Sequence, residues 1–333
     1  MSTPVALVLP GVEPHPSLAR GPVEGAVASR NPLPVLPMRA PAAPCPPVLI
    51  IGMHRSGTSV VARALAELGL DLGAHADRLR PWRPQRTQRE YNQNKEAALF
   101  LQLNRWAFRL AGAAWDRPLP VRDLAAYPEA RALVTEHFRF VLRSPRAISF
   151  LGLRDYLRYR TPARLDRPWG WKDPRTTFAL PLWLDLFPDA RVLHVERDAR
   201  DVAASLQARH RQLLDARTAR RLRLRFDGAF RDSAKNMELF DGIRAARLDG
   251  ALALHEEYVA EARRHVAAAG ARGATVAFEA LVAAPEAELA RMARFCGLAP
   301  SADALARVAA HLEKSRSRAH RAGPSRPAPA DAT

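Results

Sequence analysis

The run Val48-Leu49-Ile50-Ile51-Gly52-Met53-His54-Arg55-Ser56-Gly57-Thr58-Ser59 constrains this chain more than any other segment. Four apolar residues, three of them β-branched, read as a buried strand. Gly52 and Gly57 bracket a short loop. Beyond it Val60, Val61, Ala64, Leu65 and Leu68 recur at helical spacing, and Gly69 ends the helix. A strand, a glycine-bracketed loop and a helix start form a cradle for phosphate. The N–H groups of a first helical turn lack intrahelical partners and carry positive potential, so an anion docks there. The glycines permit close approach, and Ser56, Thr58 and Ser59 add hydroxyl donors.

The spacing nearly matches the phosphate-loop pattern G-x-x-x-x-G-K-[ST]. Thr58 stands where nucleoside-triphosphate enzymes place lysine, and Arg55 supplies a cation before the second glycine instead. The departure argues against a kinase or NTPase, whose lysine reaches the terminal phosphates. A nucleotide kinase or NTPase with an altered loop stays as an alternative.

Two further strands are clear, Arg191 to Val195 and Ala274 to Phe278, and Trp169 to Lys172 is a shorter candidate. Helical periodicity is expected over 95–112, 128–143, 177–187, 200–211, 248–269 and 285–295, the last capped by Gly297. Strands alternating with helices predict an α/β fold, a three-layer parallel sheet flanked by helices. Residues 1–46 are rich in proline and alanine and are expected to be disordered, as is the tail 319–333; the folded domain is placed at 47–318.

The formal charge is +17, and only four of the 51 basic residues are lysines. So basic a chain suits a polyanionic partner. Arginines at 209, 211, 217, 220, 221, 223, 225 and 231 raise the alternative of a non-enzymatic nucleic-acid binder, but only Phe226 and Phe230 lie among them as stacking platforms. Nucleic acid is therefore not the expected partner. Cys45 and Cys296, far apart in sequence, exclude a disulfide-stapled fold and a multi-cysteine zinc site. No apolar stretch is long enough to cross a bilayer and no signal-peptide core is evident, so the expected location is cytoplasmic.

A second constellation follows the strand at 191–195. Arg197 stands at the carboxyl end of that strand, where open α/β sheets bind ligands, and Ser205 follows on the next helix. A guanidinium and a hydroxyl so placed can converge on one phosphate. Together the two segments resemble the sulfotransferases that use 3′-phosphoadenosine 5′-phosphosulfate (PAPS). His54-Arg55-Ser56-Gly57-Thr58-Ser59 resembles that family's 5′-phosphosulfate loop, P-K-S-G-T-T, and Arg197 and Ser205 match the Arg and Ser of its 3′-phosphate motif. Trp171-Lys172-Asp173-Pro174-Arg175-Thr176, Phe187-Pro188-Asp189-Ala190-Arg191 and Ala277-Phe278-Glu279-Ala280-Leu281 resemble segments of its bacterial branch. The likeness spans about 47–300 with every motif in order. Ala199 stands in place of a frequent proline, and Phe278-Glu279-Ala280 lacks the Tyr and Asp of Y-E-D. The C-terminal R-K-G motif is absent, leaving Arg316, Arg318 and Arg321 as candidate substitutes.

The resemblance implies a P-loop-like fold and in-line transfer of a sulfuryl group from PAPS to a hydroxyl or amine, leaving adenosine 3′,5′-bisphosphate. Arg55 would bridge the leaving oxygen and the sulfuryl group, and Lys172 would touch the sulfuryl oxygens. Arg55, Ser56, Gly57, Thr58, Ser59, Arg197 and Ser205 would hold the donor. Candidates for the general base are Glu96, Asp173 and His54. No metal is expected, and the acceptor is expected to be a small molecule, glycolipid or glycan bound over 71–95, 144–168 and 211–247. The oligomeric state is left open.

Overall fold

The computed structural model describes residues 43–73, 97–221 and 242–321, with side chains at 212–221 and 313–321 outside the description. Glu96, the expected N-terminal segment up to Ala42 and the tail beyond Arg321 lie outside the described residues, as do the side chains of Arg316, Arg318 and Arg321.

Four strands form one parallel sheet: β1 (Val48–Gly52), β2 (Gly170–Lys172), β3 (Arg191–Glu196) and β4 (Gly273–Ala277), in the order β2-β1-β3-β4. The register sets Ile50 of β1 opposite Lys172 on one side and Leu193 on the other. All five residues of β1 are buried, as expected for a parallel strand covered on both faces.

Alternation along the strands builds the layers. Leu49, Ile51 and Val192 point into one core with α2 (Ala98–Leu110), α6 (Thr176–Leu184) and α8 (Leu248–Ala269). Val48, Ile50, Leu193, Val195 and Val276 point into the other, with α1 (Thr58–Glu67), α10 (Pro285–Cys296) and α11 (Ala302–Arg321). The expected three-layer α/β architecture is thus the observed one. Around β2 the first core is aromatic: Phe100 stacks on Trp171 at 4.0 Å between centroids, and Trp171 meets Trp183 edge-on at 4.8 Å.

Several elements differ from the sequence reading. Two helices, α3 (Pro120–Ala126) and α4 (Pro128–Arg143), sit where only the second was expected. The stretch 144–168, expected to lie under the acceptor and given no helix, contains α5 (Ile148–Tyr159), whose period breaks at Gly152, a residue in non-helical geometry with φ 74°. Helix α7 (Ala199–Arg221) continues well past its expected end, because arginine and leucine favour helix even on a solvated face. A short α9 (Phe278–Ala283) begins at Phe278, which the sequence reading gave to β4.

Candidate active site

The loop between β1 and α1 is locked from several sides. Gly52 N–H donates to Thr177 Oγ1 at 3.1 Å, tying the strand tip to α6. Ser56, fully buried, donates its hydroxyl to Met53 O at 2.8 Å and so spans the loop from inside. A Cβ on Gly52 would lie 2.4 Å from Val195 O, and one on Gly57 would lie 2.3 Å from the Phe278 ring. Both glycines also have positive φ. Arg55 has φ 72°, a left-handed geometry that costs a non-glycine residue on the order of 1 kcal/mol and is found at sites where the surroundings enforce it. No side chain caps α1, and its first turn carries no acid, so the N-terminal N–H groups suit an anion.

The second arm is equally constrained. Asp198 Oδ1 accepts from the N–H of Arg200 and of Asp201 at 2.9 and 3.1 Å and caps α7. Glu279 Oε1 accepts from Asp198 N–H at 3.0 Å, joining this turn to α9. His255 Nε2 donates to Arg197 O at 3.0 Å from α8. The Arg197 guanidinium pairs with Asp201 at 2.8 Å and lies 5.1 Å from the centroid of Phe278. Phe278 therefore touches both arms, the backbone at Gly57 and the Arg197 cation. Among the described residues Arg197 Nε is buried with no hydrogen-bond partner, an orphan that an anion in the cleft would satisfy.

The two arms meet directly. Arg55 Nε donates to Ser205 Oγ at 2.8 Å, and Arg197 Nη1 reaches Arg55 O at 3.5 Å. Lys172 ends β2 on the other side of β1 and is only 2% exposed.

Asp173 is buried beside it and engages both carboxylate oxygens. Oδ2 accepts from Asn104 Nδ2 at 2.9 Å, and Oδ1 accepts from Arg175 N–H at 3.0 Å with the Arg175 guanidinium 3.6 Å away. Asn104 is the hub of this corner. Its amide also donates to Thr176 Oγ1 at 2.9 Å, and its oxygen accepts from Trp183 Nε1 at 2.7 Å.

His54 precedes Arg55 in the loop after β1. Its ring lies 4.8 Å from Trp115 and 6.1 Å from Tyr258, and its Nε2 is buried without a partner among the described residues. Burial first, then the positive charges of Arg175, Arg209, Lys172 and Arg55, hold the imidazole well below its ordinary pKa, so it is neutral. Arg55 is exposed, yet desolvation by surrounding protein, then the charges of Arg209 and Arg197, lower its guanidinium as well. The corner is thus strongly cationic, as a polyanion site requires.

The structure brings His54, Arg55, Ser56, Gly57, Thr58, Arg197 and Ser205 into one region with Lys172 and Asp173 at its β2 side; Ser59, half-buried, follows in the first turn of α1. Sequence reasoning gave Asn104 and Arg175 no role, and placed Arg209 only in the arginine cluster of the nucleic-acid alternative. Arg209 lies four residues beyond Ser205 on α7 and so shares its helix face, a signal that was available in the spacing.

The sulfotransferase family profile matches residues 46–303, and the chain belongs to the sulfotransferase family. Similar solved structures include three bacterial proteins. The sulfotransferase domain of the Synechococcus PCC 7002 olefin synthase is 19% identical, over 79% of this chain and 77% of that one, with TM-score 0.36. Sulfotransferase STF1 from Mycobacterium tuberculosis H37Rv is 19% identical, over 81% and 72%, with TM-score 0.39. Sulfotransferase STF9 from Mycobacterium avium is 18% identical, over 84% and 69%, with TM-score 0.39. No curated protein matches the chain. Among the described residues no helix is long and apolar enough to cross a membrane.

Proposed function

We propose that the protein moves a sulfuryl group from PAPS to a hydroxyl or amine of a small-molecule or glycan acceptor. The observation that carries this reading is the junction of the two anion-binding arms, Arg55 with Ser205 at 2.8 Å and Arg197 with Arg55 O at 3.5 Å. A ligand with phosphate groups at two positions fits such a paired site. The α1 N-terminus and Arg55 hold the phosphosulfate end, and Arg197 with Ser205 holds the 3′-phosphate. The buried, unpartnered Arg197 Nε supports the second assignment.

The acceptor oxygen or nitrogen attacks sulfur as the bond from sulfur to the 5′-phosphate oxygen breaks. The leaving bisphosphate keeps the electron pair, and the acceptor loses its proton to a base. The protein's work is alignment and charge neutralisation. Arg55 stabilises the leaving oxygen, and Lys172 the sulfuryl oxygens. Asp173, with both oxygens engaged, orients Arg175 and the end of β2. His54, neutral and with an uncommitted Nε2, is the proton acceptor in this reading. A bound polyanion offsets the cations around His54 and raises its basicity.

The test is calorimetry with adenosine 3′,5′-bisphosphate, followed by mass-spectrometric detection of sulfated products from PAPS and an acceptor panel. Binding by the wild type, sharply weakened in Arg197→Ala, is expected. No binding by the wild type overturns the proposal.

A further inference from the structure

Helix α4 packs through Val134, Phe138, Val141 and Leu142. On its opposite side Glu129, Leu133, Glu136, Phe140 and Arg143, all exposed, recur three or four residues apart and form one outer ridge. Leu133 is 65% exposed and Phe140 69%. Single exposed apolar residues are ordinary, but two large ones aligned on one ridge form a patch. The patch continues sideways. His137 stacks on Trp106 of α2 at 4.0 Å, and Leu110, one turn beyond Trp106, is 52% exposed.

The ridge is also ordered by charge. It begins with Glu129 and ends with Arg143, with the apolar pair between them. Laid antiparallel against a copy of itself, it sets Glu129 against Arg143 of the second copy and Leu133 against Phe140 of the second copy. A two-fold axis repeats both pairs. One pair is centred on Glu136 and the other just beyond it, before His137, so one axis satisfies them together. Glu136 comes nearest that axis, and Arg139, exposed one turn further along, offsets the like charge. A parallel arrangement would instead oppose glutamate to glutamate and arginine to arginine. With Glu129 and Glu136 balanced by Arg139 and Arg143, the face carries no net positive charge to draw it to an anionic lipid surface.

We propose that α4 is a homodimer interface, pairing antiparallel with α4 of a second copy through Leu133 and Phe140 and closed at its ends by Glu129 and Arg143. A single helix pair with its neighbouring α2 edge lies near the lower bound of stable interfaces, about 1,200 Å². The dimer is therefore concentration-dependent.

Sedimentation velocity on the full chain over its soluble concentration range tests this. The wild type should pass from monomer to dimer as concentration rises. Phe140→Asp and Leu133→Asp should each weaken the dimer by about tenfold or more. Arg143→Glu should weaken it, and the added change Glu129→Arg should restore it, a rescue that general loss of structure would not give. Circular dichroism serves as the folding control for these exposed positions. A wild type that stays monomeric throughout, including one whose ridge is covered by another segment of its own chain, overturns the proposal. So does a dimer indifferent to both aspartate variants.

Discussion

Arg55 Nε donates to Ser205 Oγ at 2.8 Å, joining the loop after β1 to the second turn of α7 across 150 positions of sequence. In the proposed reaction both groups serve the donor, so the contact links its two ends. Ser205→Ala removes a hydroxyl from the 3′-phosphate and a partner from Arg55. The expected loss in adenosine 3′,5′-bisphosphate affinity is about 1.5–3 kcal/mol, the range for hydrogen bonds to charged groups, read by calorimetry.

His54→Gln keeps a polar side chain but removes the base of the proposed reaction. The turnover number should fall about 10²- to 10⁴-fold. Adenosine 3′,5′-bisphosphate affinity should stay close to that of the wild type. A variant retaining full turnover removes His54 from the mechanism and leaves Glu96 as the carboxylate to test.

Gly57→Ala places a methyl group against the Phe278 ring at a residue with φ 95°. The variant should lose on the order of 1–3 kcal/mol in chemical denaturation. Phe278→Ala in the same chain removes the clash but not the backbone strain, so the double variant should recover only part of the loss relative to the two single changes.

Asn104→Leu is close in volume but cannot serve Asp173, Thr176 or Trp183, which all lose a buried partner. About 2–5 kcal/mol of stability should be lost, because the buried Trp183 Nε1 loses its acceptor and the buried Asp173 carboxylate loses one of its donors while keeping Arg175. Urea unfolding measures it, and Lys172-dependent turnover should fall with it.

His194 on β3 is fully buried, and neither ring nitrogen has a hydrogen-bond partner among the described residues. Burial pushes its pKa down to about 4. The unfolded chain, with an ordinary histidine near 6.5, binds the proton first on acidification. Stability associated with His194 is complete above about pH 6.5 and declines as pH falls toward 4, by on the order of 3 kcal/mol in all. His194→Leu should flatten this stretch of the stability profile. The buried Glu261 titrates in a separate, more acidic window: burial opposes its ionisation, but His265, Arg264 and Arg122 together hold the carboxylate at about 2.

The segments most legible in sequence were those where one local pattern implies one local structure. The apolar run ending at Gly52 is β1, and Arg197 and Ser205 stand at the β3 end and on α7 as their spacing implied. Helix α5 was hidden because Gly152 interrupts its period, and α3 because seven residues carry too few turns to show one. Phe278 was given to β4 because an aromatic residue after Val276 continues a strand pattern. Its actual place, against Gly57 and Arg197, depends on how α9 folds back on the phosphate loop. Asn104 and Arg175 share a corner only because α2 packs on the end of β2. Tertiary approach of that kind leaves no mark in the spacing of either segment.

In the proposed reaction the sheet order also acts as a gauge of ligand length. Strands β2 and β3 flank β1, so the backbones bearing Lys172 and Arg197 stand two strand spacings apart, about 10 Å. Lys172 is level with Leu193, and Arg197 lies four residues further along, another roughly 13 Å. Side chains close part of that diagonal, but the hydrogen-bonded ladder keeps it from shrinking. An elongated molecule with anionic groups at both ends matches that diagonal, which makes separation of charge, as much as charge itself, the quantity this sheet selects in the proposed reaction.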